Sequence, residues 1–217
     1  ISAARTIINK AKLADIPLIF FNKEPSMNDM VTYDKVWYVG VNHDEAGIIQ
    51  GEMIAADWQV NPDWDLNDDG VIDYVLLKGE PGHPVAESRT LESVKALTDA
   101  GYTVNELALA ASPMWSTADA KNTMEAWLTS AFADQIEVVI CNNDGMAFGA
   151  IQALDAADKE LPVYGIDALQ WALEMIRDDK MAGTVLNDGE SIARAVVDLA
   201  INAALGNDIL AGTDYVL

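Results

Sequence analysis

The chain has 217 residues, 51% of them hydrophobic, and carries 13 Lys and Arg against 35 Asp and Glu, for a formal net charge of −22. That apolar content is ample for a buried core, so a globular protein is expected, and the charge argues against nucleic acid or an anionic membrane surface as partner because both would be repelled. The single cysteine, Cys141, excludes a disulfide framework and lies in the apolar run Val138-Val139-Ile140-Cys141, where it reads as an inert buried thiol. No apolar run is long enough to span a bilayer and no signal peptide is evident. The chain starts without Met, directly in a helical pattern, so the expectation is that it begins inside a longer precursor.

Helices and strands alternate along the chain. Residues from Ala3 to Ala14 place Ile7, Ile8, Ala11 and Leu13 on one helical stripe, and Pro17 to Phe21 is a short buried strand ending at Asn22. After a polar loop, Lys35 to Gly40 reads as the next strand and Asp44 to Trp58 as a helix with Ile48, Ile49, Met53 and Ile54 inward. Further strands are expected at Tyr74 to Leu77, Val104 to Leu109, Glu137 to Cys141, Val163 to Ile166 and Gly183 to Leu186. The helices that follow them are expected at Val85 to Asp99, Thr117 to Thr129, Gly145 to Ala156, Leu169 to Arg177 and Ser191 to Ala204. Regular alternation of this kind implies an α/β protein with parallel sheets covered by helices on both faces.

The most specific string is Asp65-Leu66-Asn67-Asp68-Asp69-Gly70-Val71-Ile72-Asp73. Oxygen side chains stand at its positions 1, 3, 5 and 9, glycine permits the turn at 6, and Val71 offers a backbone carbonyl at 7, which is the ligand order of an EF-hand calcium loop. The bland alternative is an acidic turn in an acidic protein. An EF-hand would close with a bidentate Glu at position 12, but positions 10 to 12 here are Tyr74, Val75 and Leu76 in an apolar strand. The remaining Ca2+ ligand must come from elsewhere in the chain.

In open α/β sheets the ligand site lies beyond the carboxyl ends of the strands. Those ends are polar here: Asn22, His83 with Arg89, Trp115, Asn143 with Asp144, Asp167, and Asn187 with Asp188. Each Asn or Asp alone reads as a helix cap. Together with one indole and one guanidinium they suit a polyhydroxylated neutral ligand, whose hydroxyls donate and accept and whose C–H faces pack on an aromatic ring.

Several long strings carry a family resemblance. They are Phe20 to Ser26 (FFNKEPS), Val75 to Pro84 (VLLKGEPGHP), Glu137-Val138-Val139-Ile140, and Ala182 to Asp188 (AGTVLND). In these the chain resembles the galactose/glucose-binding proteins, two-lobed type I periplasmic binding proteins that deliver sugar to an ABC transporter and in some bacteria to a chemoreceptor. The resemblance implies a monomer in the periplasm or outside the cell, in some cases lipid-anchored. It implies one structural calcium ion on Asp65, Asn67, Asp69, the Val71 carbonyl and Asp73, with Glu137 as the distant bidentate ligand. It further implies that a monosaccharide is held by Asn22, His83, Arg89, Asn143, Asp167 and Asn187 and stacked on Trp115. Residues 41–186 would form the calcium-bearing lobe, and 1–40 with 187–217 an incomplete first lobe, lacking the family's first strand and its last strand and helix. Where the family carries an Asp two residues after the His, this chain has Val85. That change removes a charged acceptor and leaves Arg89 without an acidic neighbour unless Glu80 or Glu87 turns in.

Other functional classes find less support. His83 beside Glu80 and Glu87, or Asp167 with Asp144, resembles acid–base machinery, but no nucleophile motif and no phosphate loop accompanies them. The effector domain of a sugar-responsive transcription regulator shares the fold, yet the acidic charge and the calcium loop speak against it. A dockerin-type module would need a second copy of the loop.

Overall fold

Residues 3–215 are described by a computed structural model. In chain order the elements are α1 (Ala4–Leu13), β1 (Leu18–Phe21), α2 (Met27–Met30), β2 (Val36–Val39), α3 (His43–Val60), β3 (Val71–Lys78), α4 (Pro84–Asp99), β4 (Thr103–Ala111), α5 (Thr117–Trp127), β5 (Val138–Cys141), α6 (Asp144–Ala156), β6 (Val163–Asp167), α7 (Gln170–Arg177), β7 (Gly183–Leu186) and α8 (Gly189–Leu205). Polar residues start the helices: Asn42, Ser116, Asn143 and Asp188 each accept a backbone N–H at the head of α3, α5, α6 and α8. Gly206, at φ +70, ends α8 in the left-handed conformation that lacks a Cβ penalty only for glycine.

The chain divides into two compact units, one of Ile1–Val41 with Asp188–Leu217 and one of Asn42–Asn187. Each crossing falls one residue later than the sequence reading placed it. In the first unit β1 and β2 pair in parallel, and Ile8, Tyr33 and Val36 form a small buried cluster. The second unit holds five parallel strands in the order β4-β3-β5-β6-β7.

Strand periodicity explains how the second unit is layered. Val75 and Leu77 of β3 and Val139 and Cys141 of β5 point into a core shared with Met124 of α5 and Met146, Ala150 and Leu154 of α6. The alternate residues Ile72, Tyr74, Leu76, Val138 and Ile140 point the other way, into a core with Ile54 and Trp58 of α3 and Leu97 of α4. Strands buried on both faces read as continuous apolar runs, as Val-Val-Ile-Cys does in β5. β3 is longer than expected, starting at Val71, so the last three loop positions are already in the ladder. Its register with β4 slips between Tyr74 and Val75, leaving Leu107 as the extra residue of a bulge. Cys141 is fully buried and burial drives its thiol far above the ordinary range, in keeping with an inert role.

The chain leaves β3 for β4 on one side and continues into β5 on the other, so a topological switch point opens at the carboxyl ends of β3 and β5. Close helix packing on both faces supports this arrangement. A Cβ on Gly51 of α3 would fall 2.2 Å from the Ser93 carbonyl of α4, and one on Gly149 of α6 would fall 2.2 Å from the Thr117 carbonyl of α5. Backbone cannot yield cheaply, so Gly51→Ala and Gly149→Ala should each cost about 1–3 kcal/mol in urea unfolding. Gly189→Ala, where the space is open, should stay within about 0.5 kcal/mol of wild type.

Candidate functional site

Every strand of the five-stranded sheet delivers a polar or aromatic residue to its carboxyl end. After β3, His83 caps α4 by accepting the Val85 N–H on Nδ1 at 3.3 Å. Its ring meets Trp115, beyond β4, edge to face at 5.8 Å between centroids and 86° between planes. Trp115 is half-buried at φ +55, and its indole lies over Gly79, where a Cβ would stand 2.4 Å from the ring. Glycine at 79 is therefore a condition for the indole to occupy that place.

Arg89 rises from the second turn of α4 into the switch point and is only 5% exposed. One guanidinium nitrogen donates to the Asn142 carbonyl at 2.7 Å and stands 3.5 Å from Asp167 Oδ1. The Asn142 side chain accepts from the Gly79 N–H and the Thr90 hydroxyl, each at 3.1 Å, and so ties the ends of β3 and β5 together. Gln50 of α3, on the same face of the sheet as α4, reaches the same place and donates to the carbonyls of Cys141 at 3.0 Å and Gly165 at 3.1 Å. Among the described residues, the buried side-chain polar atoms without a partner are Gln50 Oε1, Arg89 Nε and Asn142 Nδ2. All three belong to residues of this one cluster. Buried polar groups are normally satisfied, so their gathering marks a built site rather than packing noise.

The electrostatics follow from burial. Desolvation lowers the Arg89 pKa, opposed by Asp167 and Asp144. Desolvation raises Asp167 to about 6, with Arg89 pulling the other way and Asp144 adding to the rise. Asn187 beyond β7 donates to Asp167 Oδ1 at 3.5 Å, the outer limit of a hydrogen bond. The expectation that Val85 strands Arg89 is therefore corrected: Asp167 is its acidic neighbour. Glu87 does not turn in, because Lys78 at 2.6 Å and the Gly82 N–H at 2.8 Å hold it.

Of the sequence-derived ligand residues, His83, Arg89, Trp115, Asn143, Asp167 and Asn187 all lie at the carboxyl ends of this sheet. Asn143 spends its Oδ1 on the Met146 N–H at 2.9 Å, so the helix-cap reading also holds for it. Asn22 closes β1 in the other unit, at φ +63. Sequence reasoning missed Gln50 and Asn142. Asn142 had a visible signal in the Asn142-Asn143-Asp144 run, whereas Gln50 is an ordinary polar residue on a helix and carried none.

The acidic loop sits at the amino-terminal end of the same sheet. Asp65 accepts the Asp69 and Gly70 N–H groups at 3.1 and 2.8 Å, Asn67 accepts Asp69 N–H at 2.9 Å, and Asp69 accepts Val71 N–H at 2.8 Å. Glu137, 1% exposed at the head of β5, reaches back with both oxygens to the Leu66 N–H at 2.8 Å and the Asp73 N–H at 2.9 Å. Burial raises its pKa, and the nearby Asp73 and Asp65 add to the rise. Asp73, itself buried, accepts from Asn105 Nδ2 at 2.6 Å. Among the described residues no group of three or more His, Cys, Asp and Glu is arranged to hold a metal ion, because these carboxylates are turned onto backbone amides. The donor set is nonetheless all oxygen, and no described ion pair neutralises Asp65, Asp69, Asp73 or Glu137, which is the chemistry a hard divalent cation suits. A separate cavity of about 570 Å³ opens nearby, lined in part by Asp57, Trp64, Glu137 and Lys159. The orphaned buried atoms lie at the other end, and that end is the better ligand site.

A family model described as a periplasmic binding protein domain matches residues 2–208. The chain belongs to the periplasmic binding protein family. It is 48% identical over 216 residues to the D-galactose/methyl-galactoside binding periplasmic protein MglB of Haemophilus influenzae, covering all of this chain and 65% of that protein. It is 28% identical over 210 residues to a putative rhizopine-binding protein of Rhizobium meliloti, covering 95% of this chain and 64% of that one. The chain thus spans about 65% of the length of these relatives. Among solved structures, an ABC transporter solute binding protein from Bacillus halodurans with bound myo-inositol superposes with a TM-score of 0.78 at 30% identity, over 95% of this chain and 66% of that one. One from Actinobacillus succinogenes with bound D-allose has a TM-score of 0.80 at 23% identity, over 98% and 72%, and shares the fold. Parallel sheets flanked by helices are thus those of a type I periplasmic binding protein.

Within this periplasmic binding protein, Asp167 makes stability depend on pH. A carboxyl whose native midpoint lies above its unfolded value binds more protons when folded, so stability falls as pH rises from about 4 to about 6. Asp167→Asn lacks that loss. Wild-type stability relative to Asp167→Asn should fall by about 2–3 kcal/mol between pH 4 and pH 7 in urea unfolding. The cost of leaving Arg89 unpaired shifts all points equally. A pH-independent difference would mean that Asp167 titrates as an ordinary carboxylate.

Proposed function

We propose that this protein binds a neutral monosaccharide of the glucose or galactose kind at the carboxyl end of its five-stranded sheet, and passes it on outside the cytoplasm to an ABC transporter without chemical change. The observation that carries the reading is the buried Arg89 paired with the partly buried Asp167 beside a half-buried indole, backed by orphaned donors and an orphaned acceptor. A fixed guanidinium and carboxylate donate to and accept from adjacent hydroxyls of one ring, and an indole covers a C–H face. His83 adds an imidazole and Asn187 an amide at the same sheet end. The relatives agree in ligand class: the Haemophilus protein is by name a galactose binder, and the Bacillus halodurans protein holds a cyclic polyol. Asn22, in the other unit, is assigned by resemblance to the same ligand, and a chemoreceptor is a second partner to test. Nothing in the cluster provides an activated nucleophile, so binding fits better than catalysis.

Calorimetric titration of the chain with D-galactose, D-glucose and D-ribose tests the reading, with hexose preferred over pentose. Arg89→Met should abolish measurable hexose binding. Val85→Asp returns a carboxylate near the His83 imidazole and should tighten hexose binding by about 1–3 kcal/mol, or roughly 5- to 150-fold. Absence of heat with every sugar would sink the proposal.

We further propose that Asp65, Asn67, Asp69, Asp73 and Glu137, with the Val71 carbonyl, bind one calcium ion that stabilises the second unit. Glu137 and Asp73 are buried acids, and a divalent cation would offset their mutual repulsion. Calcium in excess over chelator should raise the unfolding temperature by several degrees through mass action, and magnesium should do so less because it demands a tighter octahedral shell. Glu137→Gln should lose most of the response; an equal response in variant and wild type would remove Glu137 from the site.

A further inference from the structure

Asp144 begins α6 and is completely buried. Its Oδ2 accepts the Leu169 N–H at 2.8 Å, and its Oδ1 accepts the Thr184 hydroxyl at 2.6 Å. Thr184, on β7, in turn accepts the Ala168 N–H on the same hydroxyl at 3.2 Å. The three bonds enclose the turn that leaves β6. Asp167 and Ala168 in that turn have φ of +133 and +53, two successive residues with side chains in conformations that favour glycine. Such a turn persists only when its surroundings over-determine it. Gly165 completes the arrangement, since a Cβ there would lie 2.4 Å from Asp144 Oδ1. The strand passes the buried carboxylate because residue 165 has no side chain.

Neither Asp144 nor Thr184 has a described contact with His83, Trp115 or Asn187, and helix α6 has its cap in Asn143. The charge of Asp144 acts on Arg89 and Asp167, but the hydrogen bonds of its side chain go to the turn and to Thr184. We propose that Asp144 and Thr184 are positioning residues: together they brace the strained Asp167–Ala168 turn and so aim the Asp167 carboxylate at Arg89 and the ligand. This deepens the sugar-binding reading and rests on it for the identity of the ligand only. The Thr184 hydroxyl is the relay, donating to Asp144 and accepting from the turn, so its removal should free the turn while leaving a side chain of the same shape.

The 217-residue chain would be compared as wild type, Thr184→Val, Thr184→Ser, Asp144→Asn and the double variant Thr184→Val with Ala168→Gly. Hydrogen exchange at the Ala168 and Leu169 amides reports the turn, and carbon NMR of the Asp167 carboxyl reports its aim. Calorimetry with D-galactose reports binding. In Thr184→Val the two amides should exchange at least tenfold faster. The Asp167 midpoint should fall from about 6 toward the ordinary carboxylate range as it swings into water. D-galactose should bind about tenfold more weakly. Thr184→Ser, which keeps the hydroxyl, should behave as wild type. Glycine at 168 relieves the unfavourable φ, so the double variant should recover affinity. Wild-type exchange and an unmoved Asp167 midpoint in Thr184→Val would overturn the proposal, whatever the change in global stability. Faster exchange with unchanged galactose affinity would overturn the positioning role. If Thr184→Val does not fold, Asp144→Asn decides by exchange and affinity. If no form binds D-galactose, the sugar reading fails and the exchange and Asp167 titration still decide on the brace.

Discussion

Burial of the Arg89 guanidinium is the constraint on which the carboxyl end of the large sheet depends. An ion taken out of water needs partners close at hand, and those available are the Asn142 carbonyl and the Asp167 carboxylate. Each is fixed by its own neighbours: Asn142 by Gly79 and Thr90, and Asp167 by the turn that Asp144 and Thr184 enclose. Because two faces of helices press on the sheet, the cluster cannot spread to satisfy every atom, and Gln50 Oε1, Arg89 Nε and Asn142 Nδ2 remain unpaired. A site built this way exchanges water for ligand at small cost in reorganisation, which is what reversible recognition of a polar solute requires.

The short strand β5 couples the two ends of the sheet. Glu137 stands immediately before it and Asn142 immediately after, with only Val138, Val139, Ile140 and Cys141 between, all four buried. Glu137 fixes its amino end to the acidic loop through Leu66 and Asp73, and Asn142 fixes its carboxyl end to β3 and α4. A cation that neutralised the loop would therefore hold the strand that carries Asn142 and Asn143 to the ligand end.

The acidic residues fall into two physically different sets. Asp144 and Glu137 are buried and Asp167 is partly buried, and all three have raised pKa values because desolvation disfavours their charge. Glu87, Asp134 and Asp188 lie at the surface, with pKa values lowered by Lys78, Lys159 and Ser191 respectively. Charges of the second set stand in solvent, where their contribution to the fold is small.

By itself the sequence determined the local pattern: apolar runs of strand length, helical stripes, and polar residues after each strand place the chain among α/β proteins and put His83, Trp115, Asn143, Asp167 and Asn187 at strand ends. These signals are legible because backbone geometry and burial act over a few residues. The tight acidic turn from Asp65 to Asp73 was readable for the same reason. Partnership was not. Glu137 was tied to the acidic loop only through the family resemblance, and only tertiary structure decided that Gln50 meets Gly165, 115 residues away, and that Asp167 rather than Glu87 stands beside Arg89. Those contacts arise from the order in which strands enter the sheet, and strand order is settled by packing of whole layers, which no local stretch of sequence encodes.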